Sequence, residues 1–203
     1  MQVRKNDEYL LLKKTFLKKS HSKFAYIWLI QQDQFRIVLI ISNHSDLENI
    51  ANDFNAKFVH IDTFNIDKSV VEDQFLNLLK EYEIDFVVLA KYMQILSDSF
   101  LKKFSSIINI HHSFLPAFKG AQPYHRAWKR GVKLIGATAH YVTQDLDEGP
   151  IIEQCTVNVS HRDQVDDLIR KGSDIERVAL ARAVRLHLNH QVFVYKSKTA
   201  VFD

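Results

Sequence analysis

Glycine is absent from this 203-residue chain before Gly120, and only four more follow. A loop that cradles phosphate, of the G-x-G-x-x-G or G-x-x-x-x-G-K-[ST] kind, needs glycines between an early strand and its helix, because the main chain must approach the anion closely. That motif is excluded here, whatever the strand order. Cysteine is nearly absent as well. The single Cys155 rules out an internal disulfide and suits a reducing, cytoplasmic setting; following "GPIIEQ", it reads as a packed side chain. There are three prolines, no repeat and no Pro/Gly-rich linker, so one domain over 1–203 is the expectation. No apolar run approaches the ~18 residues of a membrane span, and "MQVRKNDEY" has no signal-peptide apolar region. Net charge is only +3. The densest basic stretch, "KKTFLKKSHSK" (Lys13 to Lys23), has few aromatics and reads as a solvated face or an anion-attracting rim, with no nucleic-acid partner expected.

What the chain does have is a series of short apolar runs alternating with helical patterns. "FRIVLIIS" (Phe35 to Ser42), "KFVHI", "DFVVLA" and "SSIINI" read as buried strands. "DLENIANDF" and "SVVEDQFLNLLKEY" place apolar residues at helical spacing, the second with Val71, Phe75, Leu78, Leu79 and Tyr82 on one face and Asp67 or Ser69 as cap. Continuous apolar strands separated by helices predict an α/β fold with a Rossmann-like, mainly parallel, twisted sheet flanked by helices. "KLIGATAHYV" and "GPIIEQCTVNV" predict two further strands around the loop "TQDLDE". A long helical region follows, capped by Ser160 and interrupted near Gly172, and "QVFVYKSKTAVF" predicts a closing hairpin. A first strand is expected around Thr15 to Leu17, with "KFAYIWLIQQ" as its helix.

Asn109 and His111 stand two apart at the end of a predicted strand and so share a face. In open α/β sheets the carboxyl ends of the strands are where ligands bind. An amide donor suits a developing oxyanion and an imidazole handles a proton near neutral pH, which together suit acyl chemistry; an Asn capping a turn beside a packed histidine is the plainer alternative. The loop "DLDEGP" holds three carboxylates, either solvated or supplying one that orients a histidine. His140, on the incoming strand, could face the same cleft. A metal at His111-His112 lacks ligand spacing and a cysteine cluster, and Ser113 lacks a nucleophile elbow. "YMQIL" reads either as a core edge or as an apolar wall for a flat heterocycle.

The stretch "INIHHSFLPAFKGAQPYHRAWKRGVKLIGATAHYVTQDLDEGPIIEQ", with "LIISNHSDL", "LAKYMQILS" and the C-terminal helix and hairpin, resembles the hydrolase domain of formyltetrahydrofolate deformylases, of the formyltransferase superfamily, from about Phe35 to Phe202. The superfamily signature, N-x-H with a distant Asp in an L-D-x-G loop, falls on Asn109, His111 and Asp147. His112 stands where the related glycinamide ribonucleotide formyltransferases typically have proline, and the glycine-bearing phosphate loop of those transferases has no counterpart at "LKKSHSK". The resemblance implies hydrolysis of 10-formyltetrahydrofolate to formate and tetrahydrofolate, feeding formate to purine synthesis and balancing the one-carbon folate pool. It implies Asn109 donating to the oxyanion, His111 and Asp147 handling protons and charge, and no cofactor or metal. It places the pterin against Met93, Gln94, Ile95 and Leu96 and against His140, Val142, Gln144 and Asp145. Partners reduce to the folate and, at most, further copies of the chain. Amine formyl transfer and folate binding without turnover are the alternatives. Members usually carry an N-terminal regulatory domain of the ACT type, for which this chain has no room, and residues 1–30 match the pattern poorly.

Overall fold

The computed structural model describes residues 8–14, 35–90, 92, 94–117 and 122–202. They pack as two compact units: one takes the described residues up to Asn109 together with 142–146, the other 110–141 and 147–202.

The first unit is built on β1 (Glu8–Lys14), β2 (Phe35–Ser42), β3 (Lys57–His60), β4 (Phe86–Ala90) and β5 (Ile107–His111), hydrogen-bonded in the order β3-β2-β1-β4-β5. The β2–β3 and β4–β5 pairs are parallel. β1 is antiparallel to both its neighbours, so the α/β class holds but the expected mainly parallel sheet is a mixed one. An inserted strand satisfies its neighbours' main-chain groups in either direction, and its apolar pattern does not encode which. The strand expected at 15–17 and the helix expected at 23–32 fall outside the described residues.

Around this sheet stand α1 (Glu48–Asp53), entered through a 3-10 turn at Ser45–Leu47, then α2 (Lys68–Glu81) and α3 (Asp98–Lys103). Asp67 caps α2, accepting a hydrogen bond from the Ser69 N–H at 3.3 Å. Phe75 and Leu79 of α2 and Phe100 of α3 pack with Leu39, Ile41, Val87, Leu89 and Ile107 of the strands, the rings of Phe75 and Phe100 lying 5.6 Å apart. Full burial of each such side chain contributes roughly 1.5–3 kcal/mol, which fixes β4 and β5 and the segments leaving their carboxyl ends.

The second unit holds α4 (Pro123–Arg130), β6 (Leu134–Tyr141), β7 (Ile151–Asn158), α5 (Val165–Leu188) and the hairpin β8 (Val192–Tyr195) with β9 (Lys198–Val201). β6 and β7 are antiparallel. Ala139 pairs with Glu153 but His140 pairs with Ile151, so Ile152 is an extra residue on β7, a bulge that re-aims the end of β6. Tyr124 and Ala127 of α4 pack with Ile135 of β6 and Leu168 of α5.

Two expectations for α5 are corrected. Its N-cap is Gln164, in a capping box with Asp167, whereas Ser160 opens the preceding turn, its N–H donating to Asp163 Oδ2 at 2.7 Å. And α5 runs unbroken through Gly172. A helical glycine costs about 1 kcal/mol against alanine, yet here a Cβ would lie 2.0 Å from the Tyr124 hydroxyl, which donates to Glu176 at 2.6 Å. Close approach of α4, not a break, is the reason for the glycine. Gly172→Ala is therefore expected to lower stability by about 1–3 kcal/mol despite alanine's better propensity, measurable as an earlier urea midpoint with an unchanged slope.

Candidate active site

β5 ends in two buried polar side chains, Asn109 and His111, 8% and 5% exposed. Asn109 is the last residue of the first unit in this part of the chain; His111 lies in the second, with Asp147 and His140. The His111 Nδ1 stands 3.2 Å from Asp147 Oδ2. A carboxylate accepts only, so Nδ1 carries the proton and donates it. Nε2 of His111 is left buried with no hydrogen-bond partner among the described residues. Such an atom ordinarily costs about 1–3 kcal/mol, and its persistence at the end of a strand fits a nitrogen reserved for a ligand.

The other Asp147 oxygen, Oδ1, lies 3.7 Å from His140 Nε2. His140 Nδ1 faces the main-chain carbonyl of Tyr141 at 2.8 Å, so Nδ1 is the protonated nitrogen. His140 is 2% exposed. Both ring nitrogens face protein groups, so His140 supports Asp147.

Asp147 itself has φ 57, the left-handed region that Asp and Asn tolerate better than other side chains. The turn is clamped on both sides. Tyr141 N–H donates to Pro150 O at 2.9 Å, and a Cβ on Gly149 would fall 1.7 Å from Tyr141 O, so only glycine fits. The Tyr141 hydroxyl, its pKa raised by burial, meets His187 Nδ1 at 2.9 Å. Burial pushes the Asp147 carboxyl up, but hydrogen bonds and positive charge from His111 and His140 outweigh it and hold the group well below the usual carboxylate range.

The turn after His111 is braced by Thr138. Its hydroxyl donates to Ser113 O at 2.8 Å and accepts from Leu115 N at 3.0 Å and Gln154 Nε2 at 3.0 Å. Ser113 is buried, and its own hydroxyl donates to Ala117 O at 2.7 Å; it forms the turn. The rings of His111 and His112 meet edge-on at 4.8 Å. Among the described residues no group of three His, Cys, Asp or Glu side chains could hold a metal ion, and no helix is long and apolar enough to cross a membrane. Cys155 is half-buried on β7, its thiol pushed up by burial and by Glu153, which outweigh Arg182.

The remaining expected binding residues belong to the first unit. Leu96 is buried in its core, with Tyr92 and Val142 packed against it, and the Val142 N–H donates to Ile107 O at 3.0 Å. Ile95 is 49% exposed, and Gln94, Gln144 and Asp145 are exposed. Met93 lies outside the described residues. The sequence reading missed the Tyr141–His187 pair and the Thr138–Gln154 brace; neither has a local signal, because each joins residues brought together only by the fold.

A carboxyl so held stays ionised. The stability it contributes is present above the ordinary Asp value of about 3.9 and is lost as pH falls through its lower folded value. The carboxyl carbon of Asp147, followed by NMR, is expected to show no titration above about pH 4, and Asp147→Asn to flatten the acid side of the stability profile. A midpoint near neutrality would contradict this geometry.

With this arrangement in view, the chain can be set beside known proteins. Residues 15–184 match the family model described as Formyl transferase. A formyltetrahydrofolate deformylase of Synechocystis sp. is 56% identical over 203 residues, spanning 99% of this chain and 72% of that one. The solved structure of a formyltetrahydrofolate deformylase from Burkholderia mallei is 44% identical, with a TM-score of 0.82 over 88% of this chain and 64% of that one. A glycinamide ribonucleotide transformylase from Symbiobacterium toebii is further off, 33% identical with a TM-score of 0.77, over 83% and 81%. The chain thus spans between 64% and 72% of the length of these two deformylases. It belongs to the formyl transferase family, among the formyltetrahydrofolate deformylases.

Proposed function

We propose that this chain hydrolyses 10-formyltetrahydrofolate to formate and tetrahydrofolate. The observation that carries the reading is the buried His111–Asp147 pair with Nε2 of His111 left over, in a chain whose relatives include named formyltetrahydrofolate deformylases. Water adds to the formyl carbon, giving a tetrahedral oxyanion. Its collapse breaks the bond to N10, which leaves as the protonated amine, and the second product is formate. Forming the oxyanion is the costly step. The Asn109 amide, two residues before His111 on β5, is the donor we assign to it; losing such a donor costs about 100- to 1000-fold in rate.

His111 handles the proton at Nε2. Asp147, kept anionic, fixes the tautomer at Nδ1 and stabilises the imidazolium that forms when Nε2 takes a proton. A carboxyl held so low is a weak base, which favours His111 over Asp147 as the group that moves the proton between water and N10. The pterin lies along Met93 to Leu96, with Ile95 the apolar contact, and its edge pairs with main-chain groups between Val142 and Asp145. The net chemistry is addition of water and calls on no redox or metal cofactor. A reducing cytoplasm suits the single thiol, and the partner is the folate, with further copies of the chain compatible.

Formate release from 10-formyltetrahydrofolate, with no amine acceptor present, tests the reading directly; release is expected. Turnover that appears only on adding glycinamide ribonucleotide would make the chain a transferase, and folate binding with no release a binding module. Asp147→Asn isolates the charge, since Asn accepts a left-handed backbone as well as Asp does. It is expected to lose at least about 100-fold in kcat while the chain still folds, with a cooperative circular dichroism melt shifted down by the lost carboxylate, and still binds the folate. Near-normal turnover would show that the carboxylate is only structural.

A further inference from the structure

We infer that Glu72 is a positioning residue for the folate-binding segment that follows β4. It is a carboxylate buried in the first unit, 7% exposed, on a helix whose other buried residues, Phe75 and Leu79, are apolar. A carboxylate at such a site needs several donors to offset the loss of water. Glu72 finds them 25 residues away in sequence, at Ser97: Oε1 accepts the Ser97 N–H at 2.8 Å, and Oε2 accepts the Ser97 hydroxyl. Lys68, one turn earlier on α2, places its ammonium 3.6 Å from Oε1.

The bond reaches further than one residue. Ser97 is the N-cap of α3, and its hydroxyl accepts from Phe100 N at 3.2 Å while contacting Ser99 Oγ at 2.8 Å. One donor site and two acceptor sites are thereby filled, the full capacity of a hydroxyl. Leu96, the residue before, is sunk in the core. The chain leaving β4 is thus pinned at two successive residues, one by burial and one by a charge-assisted bond. Gln94 and Ile95, just before the pins, are exposed. An apolar side chain 49% exposed yet held by a fixed main chain presents a preformed surface, and a preformed surface binds without first losing conformational freedom. All of these residues lie in the first unit. Glu72 acts through Ser97 and Lys68 of its own unit, so it governs how well the folate is held and not how fast its formyl group is cut. This inference rests on the proposed hydrolysis for the identity of the ligand.

The test pairs Glu72→Gln and Ser97→Ala, singly and together. Each is read by KM and kcat for 10-formyltetrahydrofolate, by the Kd of tetrahydrofolate from calorimetry, and by a melt. Glu72→Gln is expected to raise KM and Kd together by about tenfold, with kcat within about twofold of the wild type. Ser97→Ala keeps the main-chain bond to Glu72 and is expected to show a smaller rise of the same kind, and the double variant less than the product of the two. If Glu72→Gln does not fold, Ser97→Ala and its Kd carry the decision. Unchanged KM and Kd with a lowered melt would overturn the inference, leaving Glu72 a cap of α3 only; a fall in kcat alone would also overturn it. A wild type that releases no formate but binds tetrahydrofolate defeats the hydrolase reading alone, because the Kd comparison still tests Glu72. A wild type that does neither defeats both.

Discussion

One carboxylate has to serve two buried imidazoles, and the turn between β6 and β7 is built to hold it there. Asp147 has two oxygens, one turned to His111 and the other toward His140. His140 cannot rotate to relieve the arrangement, because its Nδ1 is engaged by the carbonyl of Tyr141. That carbonyl is in turn pressed against Gly149, and the N–H of the same residue is tied to Pro150. The negative charge is retained in a nearly dry place because the two imidazoles stand against it, the His111 Nδ1–H donating to one oxygen and the His140 ring lying beside the other. Removing either would leave a buried charge short of a partner, which costs more than the pair itself contributes.

The fold was legible where burial writes itself as a run or a period. β2, β4 and α2 lie within a residue of the expected bounds because their apolar residues face a common core. β1 was not expected at Glu8–Lys14, and its direction was not legible either, since an apolar strand reads alike both ways. Gly172 read as a break because local propensity says so, and the approach of Tyr124 overrides it. α4 escaped notice although Pro123 at its first position and Gly131 just past its end bracket it, a combination with a known helical meaning.

At the site, the two-residue spacing of Asn109 and His111 was enough to put both on one strand face, and nothing beyond alternation is needed for that. Asp147 differs. The acidic loop offered Asp145, Asp147 and Glu148 on equal terms, and pattern alone did not separate them; the resemblance singled out Asp147, and it is Asp147 that meets the histidines. Glu72 gave no signal at all. A charge beside an apolar helix face reads as solvated, and its partner stands 25 positions away.

The clamp between Tyr141 and Pro150 bears on how this loop can vary. With the Tyr141 N–H bonded to Pro150 O, and with no space for a Cβ at Gly149, the span between the two strands is a closed ring of fixed circumference. Adding or removing a residue would swing the carboxylate away from both imidazoles. The exposed stretch from Thr143 to Asp145 carries no such restriction on side-chain identity. Side chains can therefore be exchanged from Thr143 to Asp145 while the number of residues in the loop stays constant.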